Sequence, residues 1–142
     1  MKYFVLLVIL SSNYLFSQSY KLGLDSTQGG YIIKLSEDAK HGLICEIQDQ
    51  GKSNWDQSKN IISNPVNHSS NATKFTDWRL PTIEELKLIY TFKDKIGNFS
   101  PMGYWSSSEV DGENAWIYNF GDNFTESNGK YRMKYIRSVR EF

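Results

Sequence analysis

A single thiol, two imidazoles and a run of closely spaced cations are the side chains of this 142-residue sequence best suited to chemistry. Cys45 follows His41 by four positions, and no third group stands nearby to orient the imidazole as a nucleophile's base. A small thiol in an apolar run is expected instead to belong to the core. His41, His68 and one cysteine give no zinc spacing, and no acidic run matches a calcium loop, so neither a metal nor a cofactor is expected. Four separated carboxylates, Asp77, Glu109, Asp111 and Asp122, leave open a site assembled from loops. "WSSSE" at 105–109 places three hydroxyls beside an indole, but it lacks a Gly-x-Ser-x-Gly elbow and a neighbouring histidine. Ser106 to Ser108 are read as partners for backbone groups, and the chain as non-enzymatic.

The closing run, "KYRMKYIRSVR" at 130–140, is more informative. Under strict alternation Lys130, Arg132, Lys134 and Arg140 share one face, while Tyr131, Met133, Tyr135, Arg137 and Val139 share the other. Such a stripe suits the sulfate or carboxylate groups of an acidic polysaccharide, with tyrosines beside it. It equally describes a solvated face whose lysines block edge-to-edge strand pairing. Arg137, on the apolar side, needs a carboxylate or carbonyl, because an unpaired buried guanidinium is strongly unfavourable. Glu109, Asp77 and Glu85 are the expected partners, in that order.

The elements that must position these groups can be read from period and punctuation. "YIIKL" and "GLICEI" form a hairpin-like pair around "SEDAKH". In "SNWDQSKNII", Asn54 can cap a short helix with Trp55, Ile61 and Ile62 near one face. Residues 63–76 read as a long surface loop. In "DWRLPTIEEL", Pro81 keeps Leu80 extended, Thr82 caps a helix, and Glu85 completes a capping box three residues on. Ile83, Leu86, Ile89 and Tyr90 supply that helix's apolar face, Lys93 and Lys95 suit its C-terminus, and Gly97 ends it. "YWSSS", "AWIYNF" and "FTES" read as strands, with Trp116, Tyr118 and Phe120 on one face, and the closing run completes an antiparallel end.

Residues 1–17 read as a secretion signal, 18–28 as a polar lead-in and 29–142 as one domain. Removing the signal with its Lys2 leaves 15 basic against 16 acidic residues, too balanced for bulk attraction to nucleic acid. The apolar run "YFVLLVIL" is too short to span a bilayer, so a soluble exported protein is expected, periplasmic, cell-surface or extracellular. One cysteine allows no internal disulfide, and the core must carry stability unaided.

Taken in order, "GGYIIKL…KHGLICEIQDQ", Trp55, "DWRLPTIEELKLIY", "YWSSSE", "AWIYNF" and "YIRSVR" resemble the bacterial Lcl C-terminal-like domain from Gly29 to Arg140. That family is similar to the C-type-lectin-like fold, shared with formylglycine-generating enzymes. The resemblance implies an α+β domain with a small twisted antiparallel sheet flanked by two helices, and loops that carry recognition. Its best-known member ends a collagen-like adhesin that binds sulfated polysaccharides. The cysteine pair of the oxidases is absent, as are the "EPN" and "WND" triplets of calcium-dependent lectins. Ser58 departs from the family's usual alanine, and Cys45 and Glu46 from small apolar residues. The resemblance implies a binding module for acidic glycan or surface polysaccharide, or else a structural domain that contacts another envelope protein.

Overall fold

The computed structural model describes residues 18–142, so the expected signal at 1–17 lies outside the described residues. The architecture is α+β, with two sheets where one was expected. The first sheet has the order β1-β2-β3-β9, from β1 (Gly23–Asp25), β2 (Gly30–Leu35), β3 (Gly42–Cys45) and β9 (Val139–Glu141). The second has the order β4-β8-β5-β6-β7, from β4 (Gly51–Ser53), β5 (Gly103–Glu109), β6 (Asn114–Asn119), β7 (Phe124–Gly129) and β8 (Lys134–Ile136). All pairings are antiparallel except β5 with β8, which meet in parallel at Tyr104 and Tyr135.

Alternation explains why strands of this sequence bury both faces. In the β2–β3 hairpin Ile32 and Ile44 enter one apolar cluster, with Trp78, Leu80, Trp105 and Ile136, while Ile33, Leu43 and Cys45 enter a second, with Leu86, Ile89, Tyr104 and Phe120. β6 repeats the division: Ala115 and Ile117 face the first cluster, Tyr118 the second. Aromatic edges and faces fill that second cluster, with Tyr104 and Phe120 at 4.7 Å between centroids.

α2 (Ile83–Ile96) forms as its sequence dictates. Thr82 Oγ1 accepts the Glu85 N–H at 3.1 Å, and Glu85 Oε2 accepts the Thr82 N–H at 3.0 Å, the reciprocal box that satisfies two orphan donors. Gly97, at φ 78°, terminates the helix in a backbone region costly for other residues. Leu86, Ile89 and Ile96 are its buried stripe, and Trp78 and Leu80 are buried just upstream. α1 (Ser58–Ser63) begins one turn later than expected: Asn54 Oδ1 accepts the Gln57 N–H at 2.9 Å across a turn, and regular helix starts only after Gln57, which makes no side-chain cap.

The closing run is not one strand. β8 belongs to one sheet and β9 to the other, and the chain crosses between them at Arg137 and Ser138. Side-chain phase is lost at the crossing, so Arg137, Ser138, Val139 and Arg140 are all buried, while Tyr131 and Met133, expected on the apolar face, are 77% and 56% exposed. The segment expected as a surface loop at 63–76 begins inside α1 at Ser63, includes a 3-10 turn at Pro65–Asn67, and is docked through buried His68 and Ala72.

Candidate functional site

A cleft of about 520 Å³ opens between α1, the Thr76–Leu80 segment and the end of β5. Trp55 and Trp78 supply its indoles, Thr76 and Ser107 its exposed hydroxyls, and Lys59, Arg79 and Glu109 its charges. Trp55 is held by two contacts made possible by the β5 and β7 ends: its indole N–H donates to the Ser106 carbonyl at 2.8 Å, and its backbone N–H to the Lys130 carbonyl at 2.9 Å. Trp78 is fixed by an indole N–H bond to the Ala72 carbonyl and by stacking on the His68 ring, 5.5 Å between centroids. Arg79 offers a planar fork to Glu85 at 2.8 and 2.9 Å, and that bidentate bond raises an already permanent cation further.

A second groove, of about 540 Å³, lies between the β2–β3 hairpin and the start of α2. Its carboxylates are already engaged, Glu84 with Lys87, Glu85 and Glu141 with Arg79. The first cleft, with two indoles and unengaged hydroxyls, offers more to a ligand.

The four-cation stripe does not exist as a surface. Lys130 Nζ lies 4.5 Å from the Trp55 ring centre and donates to Glu109 at 2.6 Å, which neutralises it. Arg140 is 6% exposed, bonded to Asp77 at 2.8 Å and lying 3.7 Å over Phe75. Arg132 is exposed beside its neighbour Tyr131, and Lys134 is partly buried in β8. These last two have no carboxylate partner among the described residues. The reason is the sheet crossing at 137–138, which sends Arg140 to a different layer from Lys134.

Arg137 is buried and paired, but none of the three expected carboxylates reaches it. Glu109 is taken by Lys130, Asp77 by Arg140 and Glu85 by Arg79. Its partner is Asp49, at 2.9 Å from Nε, while the rest of the fork donates to the carbonyls of Glu46 and Asn98 at 3.0 and 2.7 Å. The plane of the group lies 3.7 Å over Phe99. Thr82 and Glu85 thus close the capping box of α2, Arg137 ties Asp49 to two backbone carbonyls, and Glu109 holds Lys130 in place of Arg137.

Cys45 is fully buried with Sγ directed to the Glu46 carbonyl, and burial pushes its thiol up to about 12. His41 lies instead beside the Phe142 carbonyl, 3.2 Å from Nδ1, so no dyad forms. The four loop carboxylates are dispersed: Asp77 and Glu109 hold cations, and Asp111 accepts from Glu113 and Asn114 within its own turn. Among the described residues no three His, Cys, Asp or Glu side chains converge as a metal site.

Sequence reasoning weighed His68 only as a zinc ligand and Glu46 only as a departure from the family pattern, and did not bring the two together. Glu46 is 0% exposed, and its oxygens accept from the Ile47 N–H, the Ser69 N–H, the Ser69 hydroxyl and His68 Nδ1, between 2.7 and 3.1 Å. Burial acting alone would raise this carboxyl, but those hydrogen bonds outweigh it and hold it below its ordinary value. Burial would likewise lower His68, yet Glu46 and the Ile62 carbonyl prevail and raise it. The available clue was a carboxylate directly after the apolar strand Gly42–Cys45.

Fold and site together define a small α+β domain with a pre-formed cleft lined by two indoles. The family model for the Lcl C-terminal domain matches residues 34–140, and the chain belongs to that family. No curated protein matches the sequence. Among the described residues no helix is long and apolar enough to cross a membrane.

Proposed function

We propose that this chain is an exported, non-enzymatic binding module of C-type-lectin-like architecture that holds a surface polysaccharide in the Trp55–Trp78 cleft. The observation that carries the reading is the half-buried Trp55, fixed at both its indole N–H and its backbone, beside the exposed hydroxyls of Thr76 and Ser107. Sugars present apolar C–H faces ringed by hydroxyls, and an indole flanked by donors and acceptors complements both features. With Lys130 and Arg140 neutralised by Glu109 and Asp77, capture of a strongly anionic glycan by a cation stripe loses its basis. Lys59 at the rim can still meet an occasional acid group.

Binding to a panel of neutral and acidic polysaccharides, measured by calorimetry at low and high salt, tests the proposal. Binding that changes little with salt and is lost in Trp55→Ala, with the thermal transition retained, is expected. Full binding by Trp55→Ala, or none by the native protein, would refute it. A second reading, contact with an envelope protein, is favoured by Tyr131, Arg132 and Met133, exposed together between β7 and β8. These residue types are enriched at protein interfaces. Site-specific crosslinking from position 131 on intact cells would yield one defined protein adduct on that reading and only diffuse products on the first.

A further inference from the structure

We propose that Glu46 and His68 form a proton-dependent latch that holds the 64–76 loop against the end of β3 and releases it when the pair loses its proton. The geometry fixes the proton count. His68 Nε2 lies 2.7 Å from the Ile62 carbonyl, which can only accept, so Nε2 carries a hydrogen. Nδ1 lies 3.0 Å from Glu46 Oε2, and the other approaches to that carboxylate are filled by the Ile47 N–H, the Ser69 N–H and the Ser69 hydroxyl. Three donors on the carboxylate favour its anion, which leaves Nδ1 to donate as well, and the ring is an imidazolium. Glu46 and His68 are 0% and 7% exposed, so water has little access to either.

Among the described residues no other full charge contacts the ring; Arg137 reaches the Glu46 carbonyl, not its carboxylate, at 3.0 Å and is paired with Asp49. From β3, Cys45 precedes Glu46 but is held as the neutral thiol. From α1 comes the Ile62 carbonyl alone. Within the loop, Lys74 lies over Phe75 and is exposed. Beyond Trp78, whose ring stacks on His68, Arg140 stands 5.8 Å from the indole and is bonded to Asp77. A neutral ring has one N–H for two acceptors, so removal of the proton leaves a bare lone pair against either the Glu46 carboxylate or the Ile62 carbonyl, and one of the two anchoring contacts changes from attraction to repulsion. The loop then keeps only its Asn67, Ser69 and Ala72 contacts, and the Trp78 face that rests on His68 loses its backing. Only that last step, the effect on a bound ligand, rests on the cleft reading given above.

Imidazole nitrogen NMR across pH 5–10, read with amide hydrogen-exchange protection factors, tests the latch in the intact domain. His68 is expected to keep both ring protons past the ordinary histidine value of 6.5. As it loses one, protection at Ser69 and Ala72 should fall at least tenfold while the amides of α2 stay protected. Glu46→Gln should move the His68 titration below the ordinary 6.5, since burial then acts with little opposition, and leave the loop unprotected at neutral pH. A His68 that carries one proton throughout, or that titrates with no change in loop protection, would overturn the proposal, and the native protein alone decides this if Glu46→Gln does not fold. No ligand enters these measurements, so their failure would leave the cleft reading standing.

Discussion

Arg137→Met removes the guanidinium that ties Asp49 to the carbonyls of Glu46 and Asn98 while roughly preserving the volume over Phe99. Deleting one member of a buried ion pair costs about 3–5 kcal/mol, because the partner charge stays behind without compensation. Asp49 retains 19% side-chain exposure and the Tyr104 hydroxyl, which moderates its share of that cost. The Glu46 carbonyl keeps only the weak Cys45 thiol donor at 3.3 Å, a loss of hydrogen bonding worth about 1–3 kcal/mol before the structure relaxes, whereas the carbonyl of exposed Asn98 can turn to water. The expected loss is therefore about 4 kcal/mol. At about 4 °C per kcal/mol for a domain of this size, the thermal midpoint should fall by about 15 °C. Urea unfolding of the native protein, Arg137→Met, Asp49→Asn and the double variant gives both the total and the coupling between the pair. A loss below about 1 kcal/mol in Arg137→Met would show that the crossing between sheets does not depend on this residue, and the architectural assignment would fail.

Three further outcomes follow from the same contacts. Thr82→Ala should cost about 1 kcal/mol in urea unfolding, since the Glu85 N–H loses its acceptor at the start of α2. Cys45 should stay inert to a thiol reagent in the folded protein and react fully once urea unfolds it, because the thiol is buried and pushed up to about 12. The Glu46–His68 pair should also mark the pH profile of stability. His68, raised in the fold, contributes below its ordinary 6.5 and loses that contribution as pH rises through the folded value, whereas Glu46, lowered in the fold, contributes above its ordinary 4.5 and loses that as pH falls through the folded value. The thermal midpoint of the native protein should therefore decline more steeply on the alkaline side of neutrality than that of His68→Gln, and parallel curves would contradict the assignment.

Local chemistry is what made parts of the molecule readable. The capping box at Thr82 and Glu85, the apolar stripe of α2 and its Gly97 stop depend on residues within one or two helical turns, and the hairpin of β2 and β3 on two adjacent runs. The alternation of β6 was equally visible. Pairing across distance was not. Nothing in "YIRSVR" announces that Ile136 lies opposite Gly51 while Val139 lies opposite Cys45, and a period-two reading carried through that break put Arg140 on a surface it does not occupy.

Charge pairing failed to be legible for a related reason. That Arg137 is buried and needs a partner follows from its place among apolar residues, but the choice of Asp49 over Glu109 depends on which loop the fold brings to the crossing. The cleft beside Trp55 and the carboxylate beneath His68 are likewise made by segments distant in the chain. The sequence by itself determined the family, the helix with its cap, the hairpin and the buried state of Cys45, because neighbours along the chain and simple hydrophobic periodicity decide these. Only the tertiary structure decided the two-sheet topology, the partners of the arginines and the cleft, because each depends on where long-range strand pairing sets groups far apart in sequence within a few ångströms of one another.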